Sequence, residues 1–147
     1  MWAGGYLDQT GVVVPPVEPL RCLIVDDSPV FLQAATRSLE RDGFIVVGVA
    51  STIADALRSV EALCPDVALV DVHLGRESGF DLVEQLDRGG WCSRSAVILT
   101  STHDPRDFAE LIETSSAVGF LPKLALSPSA IRELLAADER DARPAQR

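Results

Sequence analysis

The sequence predicts an α/β protein with a doubly wound five-stranded parallel sheet and five helices. Two observations carry that prediction. Short apolar runs alternate five times with longer stretches whose apolar residues recur at helical spacing. Most of those longer stretches begin at a capping residue, three of them followed by proline: Ser28-Pro29, Asp104-Pro105 and Ser127-Pro128. Strict strand–helix alternation implies parallel strands with right-handed crossovers and helices on both faces.

The elements follow in order. Leu20–Val25 is an apolar run of strand length, and Ser28-Pro29 opens a helix with Val30, Phe31, Ala34, Ala35 and Leu39 as its apolar stripe. Asp42-Gly43 stops that helix. Phe44–Ala50 is the second strand. Ser51 or Thr52 caps a helix carrying Ile53, Ala56, Leu57 and Val60 on one side, running to about Leu63. Pro65 precedes the third strand, Val67–Val70, with Asp71 at its tip. The third helix starts near Gly79 and turns Phe80, Leu82, Val83 and Leu86 inward. Ala96–Thr100 is the fourth strand, and Asp104-Pro105 starts a helix with Phe108, Leu111 and Ile112 facing in. Val118–Leu121 is the fifth strand, and Ser127-Pro128 opens the last helix on Ile131, Leu134 and Leu135. Residues 1–18 lack periodicity and read as a disordered tail, 19–138 as one domain, and 139–147 as a flexible mixed-charge tail.

Bulk composition narrows the function. The chain has 147 residues, 47% of them hydrophobic but only 5% aromatic, so small aliphatics must fill the core. A net charge of −9 argues against a nucleic-acid surface and leaves room for a cation or a basic partner. Cys22, Cys64 and Cys92 are widely spaced with no CxxC pattern, and they read as thiols in a reducing compartment. No apolar run reaches the roughly 18–20 residues of a membrane span. No basic-then-apolar leader stands at the start, so a cytoplasmic location is expected.

In such a sheet, sites form beyond the carboxyl ends of the strands. Strand one ends in Asp26-Asp27, strand three in Asp71 and strand four in Thr100-Ser101, while Lys123 follows strand five. Each has a plain alternative. The aspartates could cap a helix or begin a turn, Thr100 could be an ordinary strand residue, and Lys123 a solvated loop lysine. Together they set three carboxylates, a hydroxyl and an ammonium at one edge. Crowded carboxylates demand a cation, and hard oxygen ligands suit Mg²⁺. A carboxylate can also be the nucleophile toward phosphorus, with a metal, a lysine and a hydroxyl to neutralise the transferring group.

The segments IVDDSP, ALVDVHLGRESGFDL, VILTS and GFLPK, in that order, resemble the receiver domain of two-component response regulators over roughly residues 19–138. Asp71 to Thr100 is 29 residues and Thr100 to Lys123 is 23, a family-like spacing. The resemblance implies a flavodoxin-like, CheY-like fold with strand order 2-1-3-4-5. It implies that Asp71 accepts a phosphoryl group from a histidine kinase or phosphotransfer protein. Asp27 would bind Mg²⁺ directly, Asp26 largely through water, and His73 through its backbone carbonyl, with Asp71 in the same shell. Thr100 and Lys123 would contact the phosphoryl group, and Phe120 would be the aromatic switch that follows Thr100. The face of helix four, strand five and helix five would then change toward a downstream protein target. His73 and Thr102 stand where the family tunes autodephosphorylation, and His103 reads as a loop residue.

Gly75-Arg76 departs from the family's usual Pro-Gly, and Leu124 follows Lys123 where proline is common. That leaves the lysine's backbone geometry, cis or trans, open. Phe120 lacks the hydroxyl of the commoner tyrosine. About ten residues follow the last helix, so a stand-alone receiver with no DNA-binding or enzymatic output is expected. Helices four and five could support a homodimer. The rival readings are a phosphorylation-independent interaction module and, more weakly, an aspartate-nucleophile phosphatase. The latter usually needs a second carboxylate at position 73, where this chain has His73. Neither GxGxxG nor GxxxxGK[ST] occurs, which disfavours a nucleotide-binding reading.

Overall fold

The computed structural model describes residues 6–7, 13–14, 19–89 and 95–142. Two short strands, β1 (Tyr6–Leu7) and β2 (Val13–Val14), pair antiparallel ahead of the main sheet, inside the segment read as a disordered tail. The rest of that tail, and residues 143–147, lie outside the described residues. The central sheet comprises β3 (Arg21–Val25), β4 (Ile45–Ala50), β5 (Val67–Asp71), β8 (Ala96–Ser101) and β9 (Gly119–Pro122). Its order is β4-β3-β5-β8-β9 with every pair parallel. Counting those five strands alone, this is the expected 2-1-3-4-5. The helices are α1 (Pro29–Arg41), α2 (Ile53–Leu63), α3 (Gly79–Gly89), α4 (Ala109–Thr114) and α5 (Pro128–Ala142). Helix α5 continues past residue 138, where the domain was expected to end.

Side chains alternate across a strand, so the sheet builds two cores. Leu23, Val25, Ala68, Val70, Val97 and Leu99 pack on one face with Ala56 and Val60 of α2 and Leu82 and Val83 of α3. Cys22, Ile24, Val67, Leu69 and Ile98 pack on the other with Ala35 and Leu39 of α1 and Ile131 of α5. All five residues of β5 are buried, as the central position in the sheet requires.

The caps behave as their chemistry dictates. Ser28 Oγ accepts from Phe31 N at 3.2 Å and Thr52 Oγ1 from Asp55 N at 3.1 Å. Gly43 adopts φ +92° just past the α1 C-cap, a conformation that favours glycine.

Several expected details change. Val30 is 77% exposed and Ala34 is exposed, while Leu32 joins the packed face of α1. Leu111 is 52% exposed, because the fourth helical segment begins as a 3₁₀ turn (Pro105–Phe108) that shifts the face of the six-residue α4. Asp71 and Ser101 belong to their strands rather than following them. The reading of three thiols is corrected at Cys64, which is disulfide-bonded. Cys22 is a free buried thiol whose pKa burial pushes up to about 12. Cys92 lies outside the described residues.

Candidate functional site

The carboxyl edge of the sheet gathers the predicted acidic residues. Asp26 directly follows β3, and its N–H donates to Ala50 O across to β4 at 2.9 Å. Asp27 is next in sequence, and Asp71 closes β5 in register with Thr100 of β8. One carboxylate oxygen from each of Asp26, Asp27 and Asp71 lies within 4.8 Å of the others. Lys123 begins a 3₁₀ turn after β9 and reaches back to the cluster. Its Nζ stands 2.6 Å from Asp26 Oδ2 and 3.0 Å from Asp71 Oδ2.

The remaining bonds orient the acids. Asp26 Oδ1 accepts from Ser28 N at 2.9 Å, and Asp71 Oδ1 from His73 N at 3.1 Å. Asp27 Oδ2 accepts from Gly75 N at 2.9 Å. Gly75 turns a small hairpin between β6 (His73–Leu74) and β7 (Glu77–Ser78) at φ +62°. The family departure at Gly75-Arg76 therefore has a local consequence: its tight turn brings a backbone N–H onto Asp27. Just past that turn, Glu77 Oε1 accepts from Ile53 N at 3.0 Å, tying the loop to the start of α2. Gly79 must be glycine, because a Cβ there would collide with the carbonyl oxygen of Asp71.

The electrostatics are unbalanced. Asp26 is fully buried, and its Oδ2 receives no hydrogen bond of good geometry, although the Lys123 ammonium lies beside it. Burial pushes the Asp26 pKa above the ordinary carboxylate value, and the charge on Asp71 adds to the rise. The Lys123 ammonium and the Ser28 N–H pull it down without overcoming burial. Burial alone would lower the Lys123 pKa, but its bonds to Asp26 and Asp71 win and raise it. Three carboxylates against one ammonium leave a concentrated negative charge, with Asp26 Oδ2 held by the Lys123 ammonium alone. This donor set fits a hard divalent cation: all oxygen, close together, open on the Asp27 side.

Thr100 is buried opposite Asp71, and its carbonyl accepts from Val72 N at 2.9 Å. Phe120 is half-buried, its ring 6.5 Å from that of Phe108 and packed on the core face that holds Leu99. The Lys123–Leu124 peptide is trans, which answers the question raised by the missing proline. The sequence reading missed three participants. Phe31, placed in the α1 stripe, lies with its ring centroid 4.3 Å from Lys123 Nζ, in cation–π range. Ser101 is fully buried, and its Oγ accepts from His103 N at 3.0 Å. His103 itself meets His73, with ring centroids 5.1 Å apart. Only the position of Phe31 one turn after the acidic pair, and that of Ser101 at the end of strand four, hinted at these.

Residues 22–136 match the response regulator receiver domain family. The chain belongs to that family. Receiver domains of this kind serve two-component signalling. The chain is 32% identical over 94 residues to the transcriptional regulatory protein KdpE of Mycobacterium tuberculosis, covering 64% of this chain and 40% of KdpE. It is 32% identical over 125 residues to a protein-glutamate methylesterase/protein-glutamine glutaminase of Rhodopseudomonas palustris, covering 82% of this chain and 31% of that protein. The matched part thus spans less than half the length of these relatives. Among solved structures, the receiver domain of the NarL response regulator of M. tuberculosis superposes with TM-score 0.71 at 28% identity, covering 84% of this chain and 98% of that one. A CheY-like receiver domain from Methylobacillus flagellatus superposes with TM-score 0.67 at 24% identity, covering 81% and 98%, a likeness of fold. No helix among the described residues of this receiver domain is long and apolar enough to cross a membrane.

Proposed function

We propose that this receiver domain is a Mg²⁺-dependent phosphoacceptor switch with Asp71 as the acceptor. The observation that carries the reading is the placement of Asp71: last residue of the buried central strand, flanked by Asp26 and Asp27, and bonded to Lys123. A strand end of this kind holds a carboxylate still, which in-line transfer requires.

The donor is a phosphohistidine on a sensor kinase or phosphotransfer protein. An Asp71 oxygen attacks phosphorus, a P–O bond forms, the P–N bond breaks, and the donor imidazole keeps the electron pair and takes up a proton. Mg²⁺ held by Asp26, Asp27, Asp71 and the His73 carbonyl would neutralise charge on the phosphoryl oxygens. Lys123, released from Asp71, pairs with the phosphoryl group. Thr100 donates its hydroxyl to the same group and leaves space into which Phe120 turns. The face formed by α4, β9 and α5 then shifts toward a downstream protein target, with homodimerisation through that face a further arm of the reading. No catalysis on another substrate is part of it. The compartment is cytoplasmic, where the kinase's ATP is found.

The test is direct. Incubation with Mg²⁺ and acetyl phosphate, followed by intact-mass measurement, should show one phosphoryl adduct in the wild type and none in Asp71→Asn. An adduct that survives the substitution, or no adduct in either, overturns the assignment. Partner binding indifferent to both would favour a phosphorylation-independent interaction module instead.

A further inference from the structure

The chain has two histidines, thirty residues apart in sequence, and the fold brings them together. His73 sits in β6, after the strand that ends in Asp71, and His103 lies in the loop after β8. Both are exposed, and their ring centroids are 5.1 Å apart with planes at 66°. We infer that His73 and His103 form a second cation site, separate from the carboxylate cluster, that takes a borderline first-row dication such as Zn²⁺ or Ni²⁺.

The spacing supports it. A tetrahedral ion held by two imidazoles at about 2.0–2.1 Å sets their ring centroids about 5 Å apart. The surroundings hold the rings in place. The buried Ser101 Oγ lies 3.4 Å from His103 Nδ1 and accepts from the His103 N–H, which orients the ring and leaves Nε2 for a ligand. The Phe108 ring backs both imidazoles, at 5.8 Å from His73 and 6.2 Å from His103. Imidazole nitrogen prefers Zn²⁺, Ni²⁺ or Cu²⁺, whereas the nearby carboxylates prefer Mg²⁺, so the two sites sort ions by chemistry. Thiols offer little competition among the described residues: Cys22 is buried and Cys64 is oxidised. Water can complete the coordination because both rings face solvent. An ion bound there would clamp the segment after β5 to the loop after β8, directly beyond the strand ends that carry Asp71 and Thr100.

The test titrates the full chain with ZnCl₂, and separately NiCl₂, under excess MgCl₂ that occupies the carboxylates. Calorimetry gives the affinity and stoichiometry, and thermal melts give the clamp. The expected result is one site per chain, weakened roughly ten-fold or more in either His73→Ala or His103→Ala. Zn²⁺ should raise the melting temperature of the wild type and of Asp27→Asn, and not of the two histidine variants. The inference is overturned if the histidine variants bind as the wild type does, or if Asp27→Asn alone abolishes binding. Because phosphoryl uptake is not the readout, failure of the Asp71 assignment leaves this result independent.

Discussion

The two edges of the one sheet treat polar groups in opposite ways. At the amino edge they are paired within the chain. Arg21 N donates to Asp66 Oδ2 at 2.9 Å, Asp66 N returns a bond to Arg21 O at 2.8 Å, and Ala96 N donates to Asp66 O at 3.0 Å. Arg21 Nη1 reaches Cys64 O at 2.9 Å and Ser95 Oγ reaches Pro65 O at 2.5 Å, beside the disulfide-bonded Cys64. Asp66 thereby joins β3, β5 and β8. At the carboxyl edge, the buried Asp26 and Asp71 share one ammonium, that of Lys123, and Asp27 adds a third carboxylate beside them. A polar group that exists to hold strands together is satisfied by its neighbours. One left incompletely satisfied in the interior is held ready for something else.

That contrast can be broken from either side. The largest effect belongs to Asp71→Asn, which should abolish the phosphoryl adduct while leaving the far-ultraviolet circular dichroism unchanged. Next is Asp66→Ala at the amino edge. It should lower unfolding free energy by about 1–3 kcal/mol in urea melts, since it strands the half-buried N–H of Arg21. Phosphoryl uptake from acetyl phosphate should stay within about two-fold of wild type. If uptake collapsed as well, the two edges would not be separable.

Asp26→Asn should act with the reverse sign. Its folded pKa is raised, chiefly by burial, so the charged form is disfavoured in the fold at neutral pH, and neutralising it should raise the urea midpoint in the same melts. Mg²⁺ affinity, read by calorimetry, should fall at the same time. Destabilisation instead would mean that the Lys123 pair outweighs burial.

The smallest effect concerns alkaline pH. The folded pKa of Lys123 lies above the ordinary lysine value of 10.5, so its contribution to stability is full below that value and is lost as pH rises through the higher folded value. Melting temperature should therefore fall more steeply above about pH 10.5 in the wild type than in Lys123→Met. Equal slopes would remove Lys123 from the account of that edge.

Much of this was legible in one dimension. Periodicity placed all five central strands and the helices, because side-chain spacing of two or about 3.6 residues is imposed by the backbone itself. Proline and hydroxyl pairs such as Ser28-Pro29 set helix starts through local bonds alone. Asp26, Asp27, Asp71 and Lys123 were legible as a set because parallel topology sends every strand's carboxyl end to the same edge. The exposed faces of Val30 and Leu111 were not, since a stripe on a helix wheel does not say how far the helix is rotated against the sheet.

What only the tertiary structure decided depends on loops and on distance through space. The Gly75 N–H on Asp27, Glu77 at the start of α2 and Phe31 over Lys123 join residues far apart in sequence, with no periodicity to announce them. The pairing of His73 with His103 is of the same kind. The sequence by itself determined the sheet, its direction and which edge carries the acids, because those follow from local geometry and chain connectivity. The charge imbalance at Asp26 and the meeting of the two histidines arise only when five strand ends converge, because burial and proximity are properties of the packed chain.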